Sequence, residues 1–234
     1  MEEQTLLKQN KSALARACDY VPEVRKKSIF YFAVKRFFDI FVSAILILLL
    51  TPLFLFLLIA TPISTKGSPI FADKRVGKGG KEILVLKFRS MIVDAETNPE
   101  KYLNKEQMEQ WLIERKVEND PRITKFGHFI RKTSLDELPQ LFNIVAGSLS
   151  LVGPRPIARR EIEGSFFPAQ QEILLSARPG LISNWDVNGR SRINYVSGKR
   201  QYLELDYFAK RSLWFDFVLL LKVIPAVLKN DGAQ

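Results

Sequence analysis

The sequence predicts a mixed α/β (α+β) fold, a small unit of short strands and helices joined to one broken apolar helix. Three observations carry that expectation. Residues 40–63, IFVSAILILLLTPLFLFLLIATPI, hold no charge and are interrupted by Pro52. Two β-rich runs, 69–76 and 82–88, flank a turn at Gly77–Gly80, the signature of a hairpin. Beyond residue 120, turn residues alternate with apolar stripes at helical spacing.

The apolar run is long enough to enter a bilayer, and it lies too far into the chain for a simple cleavable signal. Its flanks are both basic: Arg25, Lys26, Lys27, Lys35 and Arg36 before it, Lys66, Lys74, Arg75, Lys78 and Lys81 after it. Positive residues stay on the cytoplasmic side, so both ends favour one face. Two arrangements meet the pattern: a kinked span, or a re-entrant segment that breaks at Thr51-Pro52 and returns. In the second, each arm has roughly 12 residues and reaches about 18 Å. The Thr51 hydroxyl is placed to bond a carbonyl freed by Pro52.

In the hairpin, alternation sets Lys87 and Arg89 on one side and Phe88 on the other. Residues 94–119 read as a polar surface helix or excursion without recognisable chemistry. In NDPRITKFGHFIRKT, Asp120 is the expected N-cap, with Pro121 at the first helical position. Ile123, Phe126, Phe129 and Ile130 then form a core stripe, with His128 beside it on the surface. That helix delivers Arg131 and Lys132 to TSLDELPQL, where Asp136 and Glu137 stand side by side.

Pro139 must lie in the first turn of any helix there, so the helix is expected to start near 134–136. Ser134-x-x-Glu137 fits a capping box, which accounts for the acids by itself. The rival reading makes them a dyad that handles a phosphate, one carboxylate as nucleophile or base and one on Mg²⁺. Farther on, Arg155 is held between Pro154 and Pro156, a stiff setting for bidentate phosphate binding. ARPGLISNWDVNGRSRINY, residues 177–195, reads as a loop presenting Trp185, Asn188 and Arg190 to a base or sugar. Residues 213–229, broken by Pro225, read as an interfacial apolar helix.

Composition bounds the function. Lys and Arg number 35 against 25 Asp and Glu, which favours an anionic partner: nucleic acid, acidic lipid or phosphorylated substrate. Cys18 and His128 are the only residues of their kinds, excluding an internal disulfide, catalytic His dyads and Cys/His metal clusters. Acid–base work falls to carboxylate, lysine or tyrosine. No aromatic–basic nucleic-acid motif occurs, so nucleic acid is not the expected partner. The chain divides into a polar extension (1–34), the membrane helix (35–65), a cytosolic unit (66–212) and the interfacial helix (213–234). At 234 residues it holds one sizeable domain with appendages.

KRFFD, SPIF…RVGKGGK, LKFRSM, DPRITKFGHFIRKTSLDELPQLFNIVAGSLSLVGPRP and ARPGL…W-VNGR closely resemble the bacterial monotopic phosphoglycosyl transferases, the "sugar transferase" family. The likeness runs from Lys35-Arg36 to about Val223. It implies a re-entrant helix broken at Thr51-Pro52 and a Mg²⁺-dependent enzyme in the bacterial inner membrane, its catalytic domain on the cytoplasmic face. In the implied reaction, a UDP-sugar donates sugar-1-phosphate to polyprenyl (undecaprenyl) phosphate and releases UMP, opening a surface-glycan pathway. Asp136 would attack the β-phosphate to give a covalent intermediate, with Glu137 assisting through Mg²⁺. Arg131 and Arg155 match phosphate-holding arginines; Lys87, Arg89 and Arg190 join them as substrate-binding candidates. A homodimer is left open.

Three departures from the family pattern stand out. Thr51 replaces a frequent serine before Pro52. Ala72-Asp73-Lys74 replaces an aromatic and a glutamine before Arg75, and Ile182-Ser183-Asn184-Trp185-Asp186 replaces Thr-Gly-Leu-Trp-Gln. None falls on the dyad or on Arg155, and the last two bear on sugar specificity. A membrane-anchored basic binding or scaffold protein is the competing expectation, but it gives no reason for the dyad beside Arg131.

Overall fold

Ser28 opens the first helix, its Oγ accepting the Tyr31 N–H at 3.2 Å. Helix α1 spans Ile29–Leu49, α2 spans Thr51–Thr65, and the two are bent by 68° at Leu50. Pro52 sits in the first turn of α2, where its missing N–H is tolerated. As expected, the Thr51 hydroxyl bonds a carbonyl beside the break, donating to Ile47 O at 2.8 Å. The computed structural model describes residues 20–95, 97–114, 117, 119–188 and 198–228. Among these, no single helix is long and apolar enough to cross a membrane; α1 and α2 meet that test only as a bent pair.

Two of the flanking cations have internal duties that charge counting misses. Lys35 Nζ donates to Asp216 Oδ2 at 2.6 Å and to Val152 O at 2.8 Å. Arg36 donates to Ile144 O at 2.6 Å and Val145 O at 2.9 Å, satisfying carbonyls at a helix C-terminus. One turn on, buried Asp39 accepts from Leu151 N and Ser150 Oγ. The first half of α1 is therefore pinned to the rest of the fold by polar bonds. The second arm docks by apolar packing: Phe54 and Leu57 enter the same core as Phe88, Ile130, Leu141 and Ile144.

The predicted hairpin is present. Strands β1 (Ile70–Val76) and β2 (Glu82–Phe88) pair antiparallel from Ile70↔Phe88 to Val76↔Glu82. The turn uses positive φ at Gly79 and Gly80, where a side chain would be strained. Helix α3 (Lys105–Glu114) occupies the polar excursion.

Helix α4 spans Lys125–Lys132, and its cap is Thr124, whose Oγ1 accepts from Gly127 N at 2.9 Å. The Asp120 cap expectation is therefore corrected. Asp120 is buried and spends both oxygens on Arg122, with contacts down to 2.7 Å, which leaves neither for a helix start. Ile123 and Ile130 are core residues as expected and His128 is exposed, but Phe129 is 52% exposed. Phe129 lies on the same apolar surface as Phe126, whose ring stands 6.5 Å from Phe56 of α2.

After a 3₁₀ turn at Leu135–Glu137, α5 (Gln140–Ala146) runs behind the hairpin. Its Asn143 grips β2, donating to Leu84 O at 2.7 Å and accepting from Leu86 N at 2.8 Å. Strand β3 (Ser150–Val152), α6 (Arg159–Ser165) and α7 (Pro168–Leu175) lead to β4 (Gly180–Ile182), which pairs parallel with β3. Gly153 and Gly180 close that pair: a Cβ on Gly180 would lie 2.1 Å from Gly153 N. Helices α8 (Asn184–Asn188), α9 (Lys199–Lys210) and α10 (Leu213–Leu228) complete the chain. The expected loop at 177–195 is thus β4 and α8 where it is described. Helix α10 exposes Trp214, Phe217, Leu221 and Ile224 at helical spacing, the apolar face an interfacial helix requires.

Candidate active site

The site begins with a close approach between two backbones. A Cβ on Gly127 would fall 1.9 Å from Ser90 O, so only glycine lets α4 sit this near the segment after β2. In that position Arg131 Nε donates to Ser90 Oγ at 2.8 Å, which aims the last turn of α4 at the dyad.

Ser134 then adopts φ 57°, a left-handed conformation that turns the chain out of α4. This overturns the capping-box expectation. A capping residue needs extended backbone angles, and Ser134 makes no side-chain cap bond. The predicted helix start at 134–136 is likewise replaced by the 3₁₀ turn, and α5 begins only after Pro139. The acids are left for other work.

Asp136 is half-buried, and burial followed by the Glu137 charge pushes its carboxyl up to about 6. Lys87 and Arg131 pull in the opposite direction. Glu137 turns toward Arg155, with an ion pair at 3.6 Å. The dyad therefore stands between three cations from separate parts of the chain, Lys87, Arg131 and Arg155.

A small open cleft lies beside it, lined among others by Arg75, Lys87, Glu137, Gln140 and Arg155. Asp136 and Arg131 adjoin this cleft without lining it. Asp73 organises its β1 wall: one oxygen, Oδ2, accepts from Arg75 Nη2 at 2.7 Å, Arg75 Nε at 2.9 Å and Lys87 Nζ at 3.2 Å. Burial opposes ionisation of Asp73, but Lys87 and Arg75 outweigh it and hold the carboxyl below its ordinary value. Arg155 is held on several sides. Its Nη1 meets Asp186 Oδ1 at 2.7 Å, its guanidinium stacks 5.2 Å from the Trp185 ring, and its N–H donates to Glu204 Oε2 at 2.9 Å. Among the described residues, fully buried Glu204 has no partner for its second oxygen, and burial raises its carboxyl to about 7.

Two predicted site residues stand apart. Arg89 lies one residue past β2, where Nε donates to Ser68 O at 2.9 Å and the guanidinium stacks 5.5 Å from Phe71. The alternation that placed it with Lys87 stops at Phe88, because the strand ends there. Arg190 lies outside the described residues. Sequence reading missed Asp73, Arg75, Gln140, Asp186 and Glu204 as site residues. For the first two a signal existed: Phe71, Asp73 and Arg75 alternate on one face of β1. Asp186 and Glu204 reach Arg155 only through tertiary packing.

Among the described residues, no group of three or more His, Cys, Asp or Glu side chains is arranged to hold a metal. The dyad alone supplies two hard oxygen ligands. That set fits Mg²⁺, which binds through one or two carboxylates and completes its shell with waters and substrate phosphates.

The model of the family described as "Bacterial sugar transferase" matches residues 30–230. The chain belongs to the bacterial sugar transferase family. The match takes in α1, α2, the dyad turn and every cation around the dyad. A UDP-galactose-lipid carrier transferase of Erwinia amylovora is 43% identical over 85% of this chain and 41% of its own length. The exopolysaccharide production protein ExoY of Rhizobium meliloti is 37% identical, over 85% of this chain and 87% of its own. A UDP-glucose:undecaprenyl-phosphate glucose-1-phosphate transferase of Escherichia coli is 33% identical, over 85% and 41%. The chain thus spans about two fifths of the first and third relatives and most of the second. Within this family member, Asp73 and Asp186 each hold a cation of the cleft.

Proposed function

We propose that the protein transfers sugar-1-phosphate from a UDP-sugar to undecaprenyl phosphate, yielding undecaprenyl-diphosphate-sugar and UMP. The observation that carries this reading is the dyad's setting: Asp136 and Glu137 face Lys87, Arg131 and Arg155 beside a cleft lined by cations. A carboxylate is repelled by phosphate unless positive charge surrounds both, and this site supplies that charge.

The donor diphosphate occupies the cleft, with Arg155 and Lys87 on its oxygens and its β-phosphorus toward the dyad. Asp136 Oδ attacks that phosphorus. The bond to the bridging oxygen breaks, UMP leaves, and the sugar phosphate remains on Asp136 as an acyl phosphate. An oxygen of undecaprenyl phosphate then attacks the same phosphorus and frees the Asp136 carboxylate. Arg131, fixed by Ser90, faces the charge that builds during both displacements. Asp136 and Glu137 would hold a Mg²⁺, which when bound withdraws charge from the phosphate oxygens.

The acceptor is a lipid, and the molecule has surfaces suited to a bilayer. Phe37, Phe41, Leu48, Leu49, Phe56, Ile59 and Ile63 are exposed on the bent pair, and α10 adds Trp214 and Phe217. So much exposed apolar surface fits a re-entrant pair immersed in one leaflet of the bacterial inner membrane, with the dyad on the cytoplasmic side.

The test is UMP release by the detergent-purified protein with Mg²⁺, undecaprenyl phosphate, and UDP-galactose or UDP-glucose. Release is expected from at least one donor, lost in Asp136→Asn and after chelation. Intact mass without acceptor is expected to show the sugar-phosphate adduct on the wild type alone. Folded protein that releases no UMP beside an active control would overturn the transferase reading. Turnover with no adduct would replace the two-step route by direct transfer.

A further inference from the structure

We propose that Asp186 is a positioning residue that fixes the direction of Arg155 at the cost of its affinity for the donor. The inference rests on the reading of Arg155 as a ligand of the donor phosphate. Its basis is the geometry on both sides of the arginine. Asp186 Oδ1 accepts from Arg155 Nη1 at 2.7 Å, while Oδ2 accepts the Ser183 N–H at 2.9 Å. With both oxygens engaged, the carboxylate cannot swing away from either partner. Ser183 Oγ also accepts the Asp186 N–H at 3.1 Å, so the acid is anchored through main chain and side chain together. Its side chain is only 11% exposed, and a contact shielded to that degree is weakly screened by salt.

Arg155 Nη2 faces Glu137 at 3.6 Å on the other side. Between two carboxylates and beside the Trp185 ring, with its main-chain N–H held by Glu204, Arg155 has its guanidinium direction set before any substrate arrives. That has two opposed consequences. An arginine held by a carboxylate offers less net charge to a phosphate, so ground-state binding weakens. An arginine already aligned needs no reorganisation in the transition state, so turnover gains. A carboxylate at this position carries a full negative charge toward the guanidinium, which a neutral amide would not. Asp186 therefore marks a property of this chain that the dyad and the arginines alone do not specify.

The test compares full-length wild type with Asp186→Asn, which keeps an oxygen for Ser183 N–H and removes the charge. Asn184→Ala is the structural control, because it loosens α8 from α9 without removing a bond of Asp186 or Arg155. UDP affinity is measured by calorimetry, and UMP release is followed against UDP-galactose and UDP-glucose concentration. Asp186→Asn is expected to bind UDP about 3-fold tighter and to lower kcat about 10-fold, a split that a merely structural loss does not produce. In an Arg155→Lys background the same change is expected to have little further effect. Affinity and kcat both within twofold of wild type would overturn the proposal, as would a joint loss that follows thermal stability as in Asn184→Ala. If the wild type binds UDP but releases no UMP, the transferase reading fails and the UDP affinities alone decide: tighter binding in the variant supports positioning, equal binding refutes it. Wild type that does not bind UDP overturns both.

Discussion

Gly127 and Ser90 touch through backbone: a methyl group on the glycine would lie 1.9 Å from the serine carbonyl oxygen. The Arg131–Ser90 bond depends on that approach, so Gly127→Ala tests whether α4 can stand off without harm. In an exposed helix the change would stabilise by about 1 kcal/mol. Here the clash is with main chain and is expected to dominate, for a net loss of about 1–3 kcal/mol. A lower melting temperature and slower UMP release should appear together. A variant as stable and as active as the wild type would refute the packing argument.

Asn143 carries two bonds to β2, the strand that presents Lys87. Asn143→Ala strands the Leu84 carbonyl and the Leu86 N–H and opens a small void, for a cost of about 2–4 kcal/mol. Asn143→Asp keeps the acceptor but loses the donor, so it should fall between. Chemical denaturation of the three proteins would check the order.

The Lys35–Asp216 pair ties α1 to α10 with side chains 16% and 9% exposed. Lys35→Met leaves Asp216 buried with the Tyr207 hydroxyl as its remaining side-chain partner among the described residues, and the loss should reach about 3–5 kcal/mol. Lys35→Met combined with Asp216→Leu removes both charges and should recover much of it. A double variant no better than the single one would show that the pair is not coupled.

Glu204 gives the pH dependence. Its carboxyl is raised from an ordinary 4.5 to about 7, chiefly by burial. Between those values the folded chain keeps a proton that the unfolded chain has released. Stability must therefore fall as pH rises through that window. Glu204→Gln cannot ionise, so its melting temperature relative to wild type should climb from about pH 5 to about pH 8. Parallel curves would mean that Glu204 does not ionise in that range.

Some of this molecule was legible along the chain because the signal is local. The hairpin follows from alternation and glycines that any reader can count. The break in the apolar run follows from Pro52, whose missing N–H acts on its own turn. The dyad, Arg131 and Arg155 sit in one contiguous stretch that resembles the family, and the structure brings Arg155 to Glu137 and the Arg131 charge to Asp136. Local rules failed where another contact or backbone angle displaced the expected one. Asp120 had every mark of a cap until Arg122 took both oxygens. Ser134 and Glu137 had the spacing of a capping box, but a left-handed serine removed the geometry it needs. Lys35 and Arg36 counted as membrane-flanking charges, yet their heads satisfy carbonyls and a carboxylate on elements over a hundred residues away.

By itself, the sequence determined the mixed α/β fold class, the basic character and the broken apolar helix, because composition, periodicity and backbone restriction act within a few residues. Tertiary structure alone decided which charges face one another. Asp73 holds Lys87 across the hairpin, and Asp186 and Glu204 hold Arg155 from elements 31 and 49 residues downstream. A charge is read in sequence as a letter, but its effect depends on distance and on the water excluded around it, and packing sets both.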